Sequence, residues 1–590
     1  MAGRIGKKMI VTDNIKVKIY FLAAILLIIF LQMRHINEMY GPWVNDDEIG
    51  YWGTAAFFTG YDWSGILKYS AYYSYGYGAL LAPLFFIFKD PINLYRSAIV
   101  LNIFFLIIVF IIAYNIVREI YNQIEPTIAI LLALIATLTS GAVTYAEIAW
   151  AETAILLFTW LIYFGFLKYI KRPTIIRLLL FAVSNLFIYV IHQRMIGLVI
   201  ASIIIIIICA LSKKIPLWHV ACGLAIIICG FLLASIIKTN IQNILWDYGS
   251  NVSNISIQNV NDYEGQIGKI LSIFSNKNDF LLFIESFLGK IFYFLFASMF
   301  TAFAGIFFLI KKIKERSVTN EALLFYFTTI SVIGMIGIAS IFNFNPDRND
   351  GLLYGRYSES LVGIVILIAL SNLLIQKQKK IIIISNLVLF LGVIIEIFLS
   401  YFIKYQMWDG EETVFTLMIP ALSRYIIITE EQFYILKFTM ESLVIVSIIL
   451  LFVNLSYTKL MGKKAIMMLL CAATICFSYL NSNCVFKTYI EPWQSEKRDI
   501  SRLIEANRSI LDVKKIYFVI QDEYNSDRNR NMIQFVLRDK QIECIADSGL
   551  SELSENTVFI ANTSNLLYED LKQEYELIDE NEIIGLFMVE

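Results

Sequence analysis

The chain has 590 residues, 58% hydrophobic and only 16% charged, with nine prolines. Soluble chains average about 45–50% apolar and about 25% charged, so this excess means repeated membrane spans and excludes a disordered chain, a coiled coil, a collagen-like chain or a secreted disulfide scaffold. The formal net charge of −1 conceals a partition: residues 491–590 carry 21 acidic and 11 basic side chains, a net of −10, while the preceding 490 carry 28 and 37, a net of +9.

Arg4, Lys7, Lys8, Lys16 and Lys18 precede an apolar run from Ile19 to Met33, and Arg34-His35 follow without a small-residue cleavage site. This predicts an uncleaved first span that starts in the cytoplasm. Residues 34–93 read as a long first outer loop, whose apolar stretch Tyr77–Phe88, at about twelve residues, is too short to cross. Further spans are predicted at 94–116, 126–144, 150–168, 176–192, 195–212, 216–236, 286–310, 322–342, 360–376, 381–403, 437–456 and 465–482, about thirteen with the first. The clusters Lys168/Lys171/Arg172/Arg177, Lys213-Lys214, Lys311/Lys312/Lys314/Arg316, Lys377/Lys379/Lys380 and Lys459/Lys463/Lys464 then all fall on the cytoplasmic side, as the excess of Lys and Arg in inner loops requires.

Beyond the membrane part, residues 1–482, the pattern changes. In 483–590, helical stretches at 499–511, 528–538 and 565–576 alternate with strand-like Lys515–Ile520, Gln541–Ile545, Thr557–Ala561 and Ile583–Val589. This predicts a small extracytoplasmic α/β domain, its acidic surface simply solvated. Cys209, Cys222, Cys229, Cys471 and Cys476 lie in apolar runs and read as buried small hydrophobes. Cys484 and Cys544 lie in polar sequence, where a disulfide is open to them outside the cell. Three scattered histidines make no metal site.

The chemistry gathers in the outer segments. Asn45-Asp46-Asp47-Glu48-Ile49-Gly50-Tyr51-Trp52 sets three carboxylates just beyond a span. They suit a site facing a cavity, or equally the capped, acidic first turn of a helix. On a helix from Asp46, Asp47 and Tyr51 share one face. The first loop is crowded with Trp43, Trp52, Trp63, Tyr72, Tyr73, Tyr75 and Tyr77, expected as an interfacial aromatic belt, with Tyr51 and Trp52 its exceptions. Trp246-Asp247-Tyr248-Gly249 and Asp262-Tyr263-Glu264-Gly265 occupy a loop long enough to act as a lid. Nothing suggests nucleic acid.

The acidic turn is followed by Tyr72-Tyr73-Ser74-Tyr75-Gly76-Tyr77-Gly78-Ala79-Leu80-Leu81-Ala82-Pro83-Leu84 and then Asn93-Leu94-Tyr95-Arg96 at the second span. Later come Tyr145-Ala146-Glu147-Ile148-Ala149-Trp150-Ala151-Glu152, His192-Gln193-Arg194-Met195-Ile196-Gly197 and Gly355-Arg356-Tyr357. In order and in placement these resemble the GT-C superfamily, integral-membrane glycosyltransferases that use polyprenyl-phosphate-linked sugars and include the protein O-mannosyltransferases and the lipid A aminoarabinose transferases. The resemblance spans residues 15–375. Glu152 stands where the family usually has Asp, Arg194 where a Thr-Lys-Gly turn has its Lys, and Glu359 where an apolar residue is usual.

The resemblance implies a GT-C-like helical membrane protein that moves a hexosyl or pentosyl group, with inversion, from a polyprenyl-phosphate donor to an extracytoplasmic glycan, lipid or protein acceptor. The implied setting is a bacterial plasma membrane. Such a transfer needs a base for the acceptor hydroxyl and cations for the phosphate. A carboxylate partly removed from water gains the proton affinity that a base needs, and arginine grips phosphate through its planar fork. Asp47 and Glu48 are the candidate catalytic carboxylates, Asp47 as base. Asp46, Tyr51, Glu152, Arg194, Arg356 and Tyr357 are the candidate substrate-binding residues, with Lys68 and Arg96 weaker cations that fit snorkelling to the headgroups. Beyond the lipid-phosphate donor no cofactor is implied, and a divalent metal stays open, with Asp46, Asp47 and Glu152 as its carboxylates. Two other classes fit a multi-span chain: a lipid-linked oligosaccharide flippase or transporter, and an O-antigen-type ligase or polymerase. The first expects charges in mid-membrane and paired halves, whereas here ionisable residues cluster at span ends. The second expects a long late loop rich in Arg and His, whereas here the acidic motif comes first.

Overall fold

The structure, a computed structural model, describes residues 2–43, 45–246 apart from 71 and 73, 263–342, 353–376 and 463–589 apart from 513 and 521–526, with isolated positions between 384 and 420. Side chains 2–14, 45, 46 and 263–266 are not among those described. The predicted spans 381–403 and 437–456 and the segment 404–436 fall outside the continuously described residues.

Helices dominate. In chain order they are α1 (Ala2–Met33), α2 (Asn45–Phe58), α3 (Ser64–Leu67), α4 (Gly76–Ile87), α5 (Pro91–Ile120), α6 (Pro126–Thr137), α7 (Ser140–Ala146), α8 (Ala151–Lys171), α9 (Ile175–Ile191), α10 (Ile196–Leu211), α11 (Leu217–Leu245), α12 (Tyr263–Ser275), α13 (Lys277–Ala297), α14 (Thr301–Lys314), α15 (Asn320–Phe342), α16 (Glu359–Leu374) and α17 (Lys463–Val485). Their starts carry local signals: Pro91 follows Asp90, whose carboxylate accepts the Asn93 amide at 2.7 Å, and Pro126 opens α6. Among the described residues eight helices are long and apolar enough to cross a membrane, nine if α6 and α7 form one bent span. Large apolar side chains such as Leu211, Leu217, Leu232 and Phe30 point outward, as in a bundle whose solvent is lipid. The chain is an integral membrane protein. The stretch Tyr77–Phe88 forms α4, a short helix of 12 residues that contains Pro83.

Two predicted spans are broken. Helices α6 and α7 meet at 65°. The Leu138 carbonyl freed at the bend accepts the Ser478 hydroxyl of α17 at 2.7 Å, and Asn481 donates to the Thr144 hydroxyl at 3.3 Å, so a neighbouring helix satisfies the exposed polar groups. The segment 286–310 is not one helix either: Met299 and Phe300, at φ 50° and 58°, separate α13 from α14.

From α17 the chain continues through the π-helical turn Phe486–Ile490 into α18 (Glu491–Ala506), α19 (Arg508–Leu511), β1 (Lys515–Ile520), α20 (Arg528–Val536), β2 (Ile542–Ala546), β3 (Thr557–Asn562), α21 (Tyr568–Glu574), β4 (Glu576–Glu580) and β5 (Ile584–Val589). The sheet order is β2-β1-β3-β5-β4, with β1 parallel to β2 and β3, and β5 antiparallel to β3 and β4. Strand β4 escaped the sequence pattern, because Glu576–Glu580 mixes acidic and apolar residues.

The first loop is clamped between the bundle and this sheet. Trp43 Nε1 donates to the Tyr489 carbonyl at 2.9 Å, Gln494 bonds both Tyr40 and Gly41, and Trp63 Nε1 donates to the Arg538 carbonyl at 2.8 Å. Phe535 of α20 packs against Trp52 and Trp63 with ring centroids 5.0 and 6.4 Å apart. Trp52, Trp63 and Tyr77 are fully buried and Trp43 and Tyr72 nearly so. This corrects the expected aromatic belt: Trp43, Trp52 and Trp63 pack against the C-terminal part, while Tyr72 packs on Trp246 and Tyr77 on Tyr51 within the bundle. Cys484 and Cys544 are free thiols, not a disulfide.

Candidate active site

Four separated stretches bring ionisable side chains to one buried place. Asp47 comes from the first turn of α2, Glu152 from the first turn of α8, Arg194 from the turn Gln193–Met195 between α9 and α10, and Arg356 from the segment just before α16. Glu152 lies at the centre. Its Oε2 accepts Arg194 Nη2 at 2.5 Å and its Oε1 accepts Arg356 Nε, while Arg356 Nη1 reaches Asp47 Oδ2 at 2.9 Å. The side chains of Arg194 and Glu152 are 2% and 3% exposed and that of Asp47 14%, so Asp47 is the carboxylate nearest to solvent.

Aromatic faces support the cations. The Arg356 guanidinium lies 3.6 Å from the centre of the Trp150 ring and that of Arg194 4.9 Å from Tyr357, a geometry worth more once desolvated. Buried ion pairs of this kind cost desolvation free energy that a hydrophobic core would not. A third cation was missed by sequence reasoning. Lys238, near the end of α11, donates to Gln193 Oε1 at 2.7 Å, and its own carbonyl accepts the Tyr72 hydroxyl at 3.3 Å. The His192 ring accepts the Arg194 amide at 3.3 Å beside these cations. The signal for Lys238 in the sequence was a lone charge just beyond the apolar run 216–236.

Glu48 points elsewhere. It is fully buried, its Oε1 accepting the Tyr95 hydroxyl at 2.8 Å and its Oε2 the Trp43 amide. Tyr51 is buried edge-on to Tyr77, with centroids 5.3 Å apart. Tyr357 supports Arg194 as described, and the Asp46 side chain lies outside those described. Arg96 is spent on the backbone: its Nε and Nη2 donate to the carbonyls of Met39 and Asn37 at 3.0 and 2.6 Å. Lys68 lies over the Tyr69 ring. Of the lid residues, Trp246 donates to the Ser70 carbonyl at 3.0 Å, and 247–262 fall outside the described residues. Two further contacts brace the site: Tyr293 donates to Glu359 Oε2 at 2.7 Å, and Arg34 bonds Glu147 at 2.6 Å and Ser482. Burial, opposed by Arg34, pushes the Glu147 carboxyl up to about 7.

Among the described residues no three His, Cys, Asp or Glu side chains gather as a metal ion would need. Asp47 and Glu152 face guanidinium groups.

No protein-family model matches the sequence. No curated protein sequence matches it either. Among solved structures the chain is similar to ArnT from Cupriavidus metallidurans bound to undecaprenyl phosphate, with a TM-score of 0.52 and 12% identity over 96% of this chain and 97% of that one. The same protein in the apo state gives a TM-score of 0.50 at the same identity and coverage. The chain therefore shares its fold with ArnT along nearly the whole length.

Proposed function

We propose that the protein is a membrane glycosyltransferase that takes a sugar from a polyprenyl-phosphate donor. The observation that carries this reading is the convergence of Asp47, Glu152, Arg194 and Arg356 on one buried point, in a fold shared with an ArnT that binds undecaprenyl phosphate. In this reading the acceptor hydroxyl oxygen attacks the anomeric carbon and its proton passes to the Asp47 carboxylate. The bond from the anomeric carbon to the phosphate oxygen breaks, and polyprenyl phosphate leaves with the electron pair. Arg194, Arg356 and Lys238 receive the phosphate charge, and Glu152 fixes the spacing of the two guanidinium groups. No step is routed through a metal.

Glu48 takes a positioning role, fastening the start of α2 to Tyr95 and Trp43 so that Asp47 faces the arginines. The membrane part is 1–482 and carries the chemistry, and 483–590 is an α/β domain seated on the first loop. Among the described residues the basic clusters 168–177, 213–214 and 311–316 lie at the ends of α8, α10 and α14 remote from the site, which favours a cytoplasmic amino terminus and a site facing outward. The acceptor is then an extracytoplasmic glycan, lipid or protein, in a plasma membrane of bacterial type.

The test is to incubate purified protein in lipid nanodiscs with polyprenyl-phosphate-linked radiolabelled hexoses and pentoses and an extract of envelope acceptors. Transfer of label, with stoichiometric release of polyprenyl phosphate, is the expected result. Movement of intact lipid-linked glycan across the bilayer without bond cleavage would replace this reading with a transporter.

A further inference from the structure

The ion-pair network borders a small cavity, about 10 Å³, whose lining includes Tyr145, Thr153, Arg194, Arg356, Glu359 and Ser360. That is roughly the room one water molecule or one hydroxyl group needs. Tyr145 Oη, Thr153 Oγ1, Ser360 Oγ and Arg194 Nε are all buried, with no hydrogen-bond partner among the described residues. The two aliphatic hydroxyls are left over for a geometric reason. Helical Thr159, Thr328 and Ser340 donate to the carbonyl four residues back at 2.7–2.8 Å. Thr153 and Ser360 sit in the first turns of α8 and α16, where that carbonyl lies outside the helix. Glu359 completes the wall. Its carboxylate, held by Tyr293, fills the space that a side chain at position 141 would need, which is why Gly141 stands there.

Buried hydroxyls around a water-sized hole are costly unless a hydrogen-bonding group fills it. Building on the transferase reading, we infer that this cavity selects the sugar: it receives one free hydroxyl of the transferred ring. A sugar with hydrogen at that position leaves Tyr145, Thr153 and Ser360 unpaired, and one with an acetamido group there has no room. The substrates are therefore sugars unmodified at one particular ring position.

The experiment measures kcat/KM for a polyprenyl-phosphate hexose that the wild type transfers, and for its 2-, 3-, 4- and 6-deoxy analogues. A site built to bond a hydroxyl rejects the analogue lacking it strongly, so one analogue is expected to fall by about 100-fold or more while the others fall little. In Thr153→Val/Ser360→Ala, and separately in Tyr145→Phe, that penalty shrinks to less than about 10-fold. Because the readout is a ratio between donors on one protein sample, partial misfolding cancels. If no analogue stands out, or the variants lose every donor in the same proportion, the cavity holds only a structural water and the inference is wrong while the transferase reading survives. A wild type that transfers neither hexoses nor pentoses from polyprenyl phosphate overturns both.

Discussion

At the scale of single residues the site is an arrangement of shared partners. Arg356 bonds Asp47 and Glu152 at once, which a lysine, with its single ammonium point, cannot reproduce. Arg356→Lys should therefore lower kcat/KM by about 100-fold, the scale of a one-ångström misplacement, with little change in the amount of folded protein by size-exclusion chromatography. Glu147 gives a pH signature. Its folded pKa is raised to about 7, above the 4.5 of a free carboxyl, so the folded chain holds a proton that the unfolded chain releases. Stability from this group is fully present below about pH 4.5 and is lost as pH rises through 7. Thermal unfolding in detergent should fall in midpoint from pH 5 to pH 8, and Glu147→Gln should flatten that slope. An unchanged slope in the variant would assign it to other groups.

The residues themselves explain how much was legible. Asp46-Asp47-Glu48 announced a site, but consecutive helical residues point about 100° apart, so Asp47 and Glu48 meet different partners. Which of them faces the arginines depends on Tyr95 and Trp43, and only the folded chain shows Glu48 turned to those two.

At the scale of elements, periodicity and apolar length located the helices and most strands because both are local properties. Breaks were not legible. The bend after Thr137 depends on Ser478, far along the chain, to satisfy Leu138. Trp63 of the first loop looked interfacial because the sequence does not reveal that Phe535 and Arg538 cover it. Trp63 is wholly buried in that interface, so Trp63→Ala should cost about 3–5 kcal/mol. The cost should appear as faster proteolysis of the loop around residues 60–70 and a lower unfolding midpoint, with α17 still folded. Equal protease resistance would mean that the sheet domain does not brace the loop.

At the scale of the whole molecule, the near-zero net charge resolves into an arrangement. Among the described residues the basic clusters 168–177, 213–214 and 311–316 mark the end of the bundle remote from the site, and the sheet that follows once the chain turns acidic at residue 491 is seated against the first loop. The short motifs, each weak alone, meet at one end of the bundle through Asp47, Glu152, Arg194 and Arg356. The central claim is that Asp47 is the base of a sugar transfer there. The most direct measurement is the single-turnover rate from a polyprenyl-phosphate sugar for wild type and Asp47→Asn, with donor binding measured on the same samples. The account predicts a loss of about 10²–10⁴-fold in rate with donor affinity changed only a few-fold. A variant as fast as the wild type would contradict it.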